Sequence, residues 1–188
     1  EVLREEGGEP AARLADVSDD AEMALFLQLE LPADCDADSV LESFADGDAA
    51  DGPIPRLFAL LDAFDAMDDA QLALPGDRAN REAILALREA VPVAVNHRVQ
   101  EAQRSVDPRI HKVAGDMIVP FERFAEAQQV YRDELGGRGL DFAVWGHISD
   151  GNVHPNVLPL SYADVEAGHE AFLACGKALA RMGGCPLS

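Results

Sequence analysis

The side chains best suited to chemistry lie in one run, Gly146-His147-Ile148-Ser149-Asp150-Gly151-Asn152-Val153-His154-Pro155-Asn156. Asp150-Gly151 is a dipeptide favoured by the two-residue type I′ turn, whose central residues both need positive φ. A turn centred there sets His147 directly opposite His154 and Trp145 opposite Asn156. Side chains alternate faces along a strand. Phe142, Val144, Ile148, Val153 and Val157 therefore form a core face, while Ala143, Trp145, His147, His154 and Asn156 form the other. Opposed residues have Cβ atoms roughly 4.5–5.5 Å apart. Two imidazoles at that separation could share a divalent metal, and spacing alone leaves a chance pairing equally open. A metal site needs a third ligand, and Asp150 is too constrained by the turn to serve well. Asn156 is either a donor to a substrate oxygen or an ordinary strand residue, and Trp145 is either a pocket wall or filler. His97, His111 and His169 have no evident partner in the sequence and read as surface residues.

Holding such a hairpin requires a sheet with a covered face. Leu25, Leu27, Leu29 and Leu31 alternate with polar residues and predict a half-buried strand that Pro32 stops. A short helix is expected over 36–45, a loop over 46–52, and a second helix from Pro55 carrying Leu57, Leu60, Leu61 and Phe64. Residues 71–74 read as a short strand. Residues 77–106 read as helix, with Ile84, Leu87, Val91 and Val95 on one stripe. Pro92 predicts a kink there, or a stop and restart, because an interior proline costs about 3 kcal/mol. Residues 117–119 are a predicted strand, and Pro120 opens a helix with Phe121, Phe124, Tyr131 and Leu135 on one side, closed by Gly136-Gly137. After the hairpin, a last helix begins near Ser161, carries Val165, Phe172, Cys175, Leu179 and Met182, and ends at Gly183-Gly184. This order predicts an α+β fold, a largely antiparallel sheet with helices covering one face, ferredoxin-like in character. Residues 1–20 read as a connector and 21–188 as the domain.

Composition narrows the function classes. The formal charge is −20 and the only lysines are Lys112 and Lys177, which argues against nucleic-acid and anionic-membrane binding. A cationic spot for an anionic substrate would be a local exception on such a surface. No apolar run approaches the roughly 18–20 residues of a membrane helix, and the start lacks a signal-peptide pattern, so a soluble cytoplasmic protein is expected. The odd set Cys35, Cys175 and Cys185 has no CxxC spacing and reads as free, buried thiols.

The run Gly146 to Asn156 resembles the GHxGDGNxHxN signature of the C-terminal domain of FAD-linked oxidases, a group that includes D-lactate dehydrogenases, glycolate oxidase subunits and D-2-hydroxyglutarate dehydrogenases. Three further segments follow the family order. Leu87-Arg88-Glu89 resembles its RE helix, Lys112 through Pro120 resembles KxxxDxxVP, and Gly183-Gly184-Cys185-Pro186-Leu187-Ser188 resembles the lead-in to an EHGxG motif. Residues 77–188 carry the resemblance well, and the first 75 carry it by pattern alone.

The resemblance implies a flavin-dependent dehydrogenase that oxidises a 2-hydroxy acid such as D-lactate or glycolate and passes hydride to FAD held by another domain. It implies that His147 and His154 bind a divalent metal, zinc, with a glutamate falling after Ser188 as a further ligand. It assigns Arg88 and Lys112 to the substrate carboxylate and Asn156 to the substrate. Two departures stand out: Pro92 where some relatives carry a hydroxyl residue, and Ser149-Asp150-Gly151 where the signature has Gly-Asp-Gly. Without its FAD domain this chain is expected to be inactive. A stand-alone small-molecule-binding module and a metal-dependent hydrolase are the alternative readings of the same residues.

Overall fold

The computed structural model describes residues 23–45 and 52–187. The chain falls into two compact units, Glu1–Ala90 and Val91–Ser188, with the boundary inside one long helix. The connector expected over 1–20 and most of the loop expected over 46–52 lie outside the described residues.

In the first unit, helix α1 spans Ala37–Ala45 and α2 spans Pro53–Ala63. Asp36 precedes α1 and accepts from the Ser39 amide at 2.9 Å and the Ser39 hydroxyl at 2.7 Å. That is the capping role expected of a short acidic side chain, and the Ser39 amide followed by its hydroxyl holds the Asp36 carboxyl below its ordinary pKa. Two sequence expectations fail in this unit. The Leu-rich stretch 23–31 and residues 71–74 join no β-ladder. Leu25 stays 63% exposed and Leu27 54% exposed. Alternation marks a face that a strand could bury, but a strand exists only through its hydrogen-bonded neighbour. Helix α2 forms as expected, yet Ile54 is its buried residue, while Leu60 and Phe64 are exposed.

Helix α3, Arg78–Ser105, runs unbroken past Pro92. Of the two outcomes expected at Pro92, a kink or a stop and restart, the stop and restart is absent. Buried residues at helical spacing occur on both sides of the proline, Ala83, Leu87 and Ala90 before it and Ala94, Val95, Val99 and Ala102 after it. Burial at each end offsets the local cost of one missing backbone donor.

The second unit holds an antiparallel sheet. Its strands are β1 (Val113–Ala114), β2 (Met117–Ile118), β3 (Phe142–His147), β4 (Asn152–Val157) and β5 (Cys185–Pro186). β4 is central: β3 pairs along one edge, and β1 and β2 share the other. Val113 opposes Val157 and Met117 opposes Val153, so β1 and β2 keep one register across Gly115 and Asp116. They behave as a single interrupted strand, of which the sequence disclosed only the second half. β5 adds beyond β2.

Helices cover one face of this sheet. Pro120 leads into a 3₁₀ turn at Phe121–Arg123, helix α4 at Phe124–Tyr131 and a π-helical turn at Arg132–Gly136. Phe121, expected on the inner side, is exposed because it belongs to the 3₁₀ turn rather than to α4. Helix α5, Tyr162–Arg181, opens with a reciprocal capping box between Ser161 and Asp164. From it Val165, Ala171, Cys175 and Leu179 join Val113, Met117, Val153, Val157, Tyr131 and Leu135 in one core. The fold is α+β with helices on one face of an antiparallel sheet, as expected. No helix among the described residues is long and apolar enough to cross a membrane.

Candidate active site on the open face of the sheet

The hairpin between β3 and β4 forms, but not with the expected turn. Ile148–Asp150 make a 3₁₀ turn and Gly151 follows in the left-handed region at φ 72°. Asp150 does not have positive φ, so the type I′ geometry is absent. The decisive contact is tertiary. The Val119 amide donates to the Gly151 carbonyl at 3.2 Å, and a Cβ at position 151 would lie 2.1 Å from the Val119 carbonyl oxygen. Asp150 instead closes the turn by accepting from the Asn152 amide at 3.1 Å. Gly146 is required for a similar reason: a Cβ there would lie 2.3 Å from the Asn152 carbonyl oxygen.

The longer loop moves the register by two. His147 opposes Asn152, and His154 opposes Trp145. A shift of two preserves faces, because the side-chain period is two. The sorting of residues therefore stands while the direct His–His pairing is replaced by a diagonal one. The two imidazole rings lie edge to face with centroids 6.3 Å apart.

Along this face the structure gathers Lys112, Asp116, Trp145, His147 and His154, with Asn156 buried on the same side of β4. Lys112 Nζ sits 5.4 Å from the centroid of the Trp145 ring, a cation–π contact that holds the ammonium over this face. Asp116, which the sequence reading leaves without a role, joins them from between β1 and β2. Continuing the β1–β2 register places it opposite His154, and its Oδ1 lies 3.3 Å from His154 Nδ1. That separation is within ion-pair range, but no hydrogen bond is made, and Asp116 Oδ1 is buried without a donor. Its signal was present in the KxxxD spacing. Reading the strand back from Met117 to Lys112 by parity would have found it. Asn156 is 1% exposed; its Nδ2 donates to the His154 carbonyl at 2.8 Å, while its Oδ1 is buried with no partner.

Arg88 lies in the first unit, on α3, where its guanidinium donates to Glu89 at 2.9 Å. Two of the histidines read as unpartnered are in fact neighbours: His111 and His169 have Nε2 atoms 3.4 Å apart. The cysteines are free, but only Cys175 is buried; Cys35 is half-buried and Cys185 exposed.

Residues 14–186 match the family described as FAD linked oxidases, C-terminal domain. The chain belongs to that family. A search of curated proteins gave no match. Membership makes this a domain of a flavin-dependent oxidoreductase and implies FAD and an FAD-binding partner domain. It selects that reading over the stand-alone binding module and the hydrolase. The metal is a separate matter. Among the described residues, no three His, Cys, Asp or Glu side chains are grouped to hold an ion. What this FAD-linked oxidase domain brings together is the imidazole pair, with Asp116 Oδ1 3.3 Å from Nδ1 of His154.

Proposed function

We propose that this domain binds substrate for a flavin-dependent dehydrogenase acting on a 2-hydroxy acid such as D-lactate or glycolate. The observation that carries the reading is the juxtaposition on one sheet face of a held cation, Lys112 over Trp145, with the diagonal pair His147 and His154 backed by Asp116. On a chain with formal charge −20, a lysine held over Trp145, on the face that carries the two imidazoles, is a local exception suited to a carboxylate.

In this reading Lys112 takes the substrate carboxylate. Asn156 is carried over from the family resemblance as a substrate contact, close to His154, whose carbonyl accepts from its Nδ2. Arg88 is carried over from the family resemblance as a carboxylate-binding residue, its planar fork suited to bidentate pairing. His147 and His154 would hold a divalent metal, zinc by the preference of imidazole ligands, with a further ligand from outside the described residues; its chemistry there is to polarise the 2-hydroxyl. FAD, when bound by its own domain, supplies the hydride acceptor.

The test uses the flavoprotein that contains this domain. Anaerobic bleaching of the flavin is followed against a panel of D- and L-2-hydroxy acids. One of them is expected to bleach it, with bleaching lost in His154→Ala and Lys112→Ala acting mainly through KM. Bleaching by no 2-hydroxy acid would remove the substrate class, and full bleaching after loss of both histidines would remove the metal.

A further inference from the structure

We infer that His111 and His169 form a second site, separate from the open face of the sheet, that takes one late first-row divalent cation such as Zn²⁺, Ni²⁺ or Cu²⁺. The two Nε2 atoms are 3.4 Å apart across 58 residues of sequence. Two nitrogens bound to one tetrahedral ion at about 2.0–2.1 Å stand roughly 3.4 Å from each other. The rings are tilted, with centroids 5.6 Å apart.

The surrounding structure prepares the pair. His111 Nδ1 lies 2.9 Å from the Arg109 carbonyl oxygen. A carbonyl only accepts, so this nitrogen carries the hydrogen and Nε2 of the neutral ring keeps its lone pair toward His169. A backbone carbonyl fixing the tautomer of a ligating histidine is a recurrent feature of metal sites. The segment bearing His111 is also anchored. Ile110 is fully buried, the Arg109 guanidinium lies 4.3 Å from the centroid of the Tyr162 ring on α5, and Asp107 pairs with Arg109 at 2.6 Å. On α5 itself Gly168, next to His169, lets the helix approach β1: a Cβ there would meet the Val113 side chain at 3.2 Å. The helix and the segment preceding β1 are thus held at the distance the two rings need.

The charge around the pair is mixed: Glu166, one turn before His169, interacts with Arg109, Glu170 is next to His169, and Lys112 is next to His111. The ligand class follows from the donors. Two imidazoles suit zinc, nickel and copper, whereas calcium and magnesium need oxygen cages. No third His, Cys, Asp or Glu joins the pair among the described residues, so water completes the coordination.

The test first silences the hairpin with His147→Ala and His154→Ala. This variant is expected to bind one equivalent of Zn²⁺ by calorimetry, and the ion should raise its thermal midpoint. Adding His111→Ala or His169→Ala should weaken that binding by roughly tenfold or more. Both residues are exposed, and far-UV circular dichroism checks that the fold persists. In the unsubstituted chain, Cu²⁺ should broaden amide resonances around 111 and 169 as well as around the hairpin. Absence of Zn²⁺ binding once the hairpin histidines are gone, undiminished binding after His169→Ala, or broadening confined to the hairpin would each reduce the pair to an ordinary hydrogen bond between imidazoles.

Discussion

Asp116 stands across the sheet from His154 in the register shared by β1, β2 and β4, with its Oδ1 3.3 Å from the imidazole Nδ1. The carboxylate oxygen is buried and has no hydrogen-bond donor, so the imidazole is its nearest means of compensation.

Asp116 should therefore act as a positioning residue for the hairpin histidines. Asp116→Ala is expected to lower divalent-metal affinity at His147 and His154 by about 10–100-fold, with Asp116→Asn between it and the native residue. Competition against a chelating dye, in a His111→Ala background, measures it. Equal affinity in all three proteins would leave Asp116 no such part.

Gly151 holds the loop that sets the register. Its φ of 72° and the 2.1 Å that would separate a Cβ from the Val119 carbonyl oxygen leave no room for a side chain. Gly151→Ala should cost about 2–4 kcal/mol in urea unfolding. It should also disturb the resonances of both Val119 and His154, because the same contact ties β2 to the hairpin.

Helix α5 offers an internal control. Leu179 is fully buried in the core and Leu173 is 66% exposed on the same helix. Leu179→Ala is expected to destabilise by about 2–5 kcal/mol and Leu173→Ala to change stability by less than about 0.5 kcal/mol. Urea midpoints compare the two directly, and similar losses would contradict the burial pattern.

Burial pushes the Cys175 thiol up from an ordinary value near 9 to about 12. Between those values the unfolded chain has released a proton that the folded chain retains, so stability falls as pH rises from about 9 to about 12. Burial raises the Tyr131 phenol as well and acts in the same direction. In native protein at neutral pH, a disulfide reagent should label exposed Cys185 first and half-buried Cys35 next, reaching Cys175 only in denaturant. Rapid labelling of all three would show that α5 opens more readily than its packing implies.

Much of this was legible in the chain because it depends on local chemistry. The helix begun near Ser161, the helix over 77–106 and the division of the hairpin into two faces follow from propensity and parity, which act over a few residues. The GH…HxN run likewise carries the chain's family membership. What the tertiary structure decided depends on contacts between distant segments. Asp150-Gly151 favours a two-residue turn in isolation, but the Val119 backbone, some thirty residues earlier, docks on Gly151 and makes the loop longer. Parity survives a slip of two residues, so the faces were right and the partners were not. The alternation of Leu25 to Leu31 could announce a strand but could not supply its neighbour. Asp116 met His154, and His111 met His169, only when the sheet paired and α5 packed upon it.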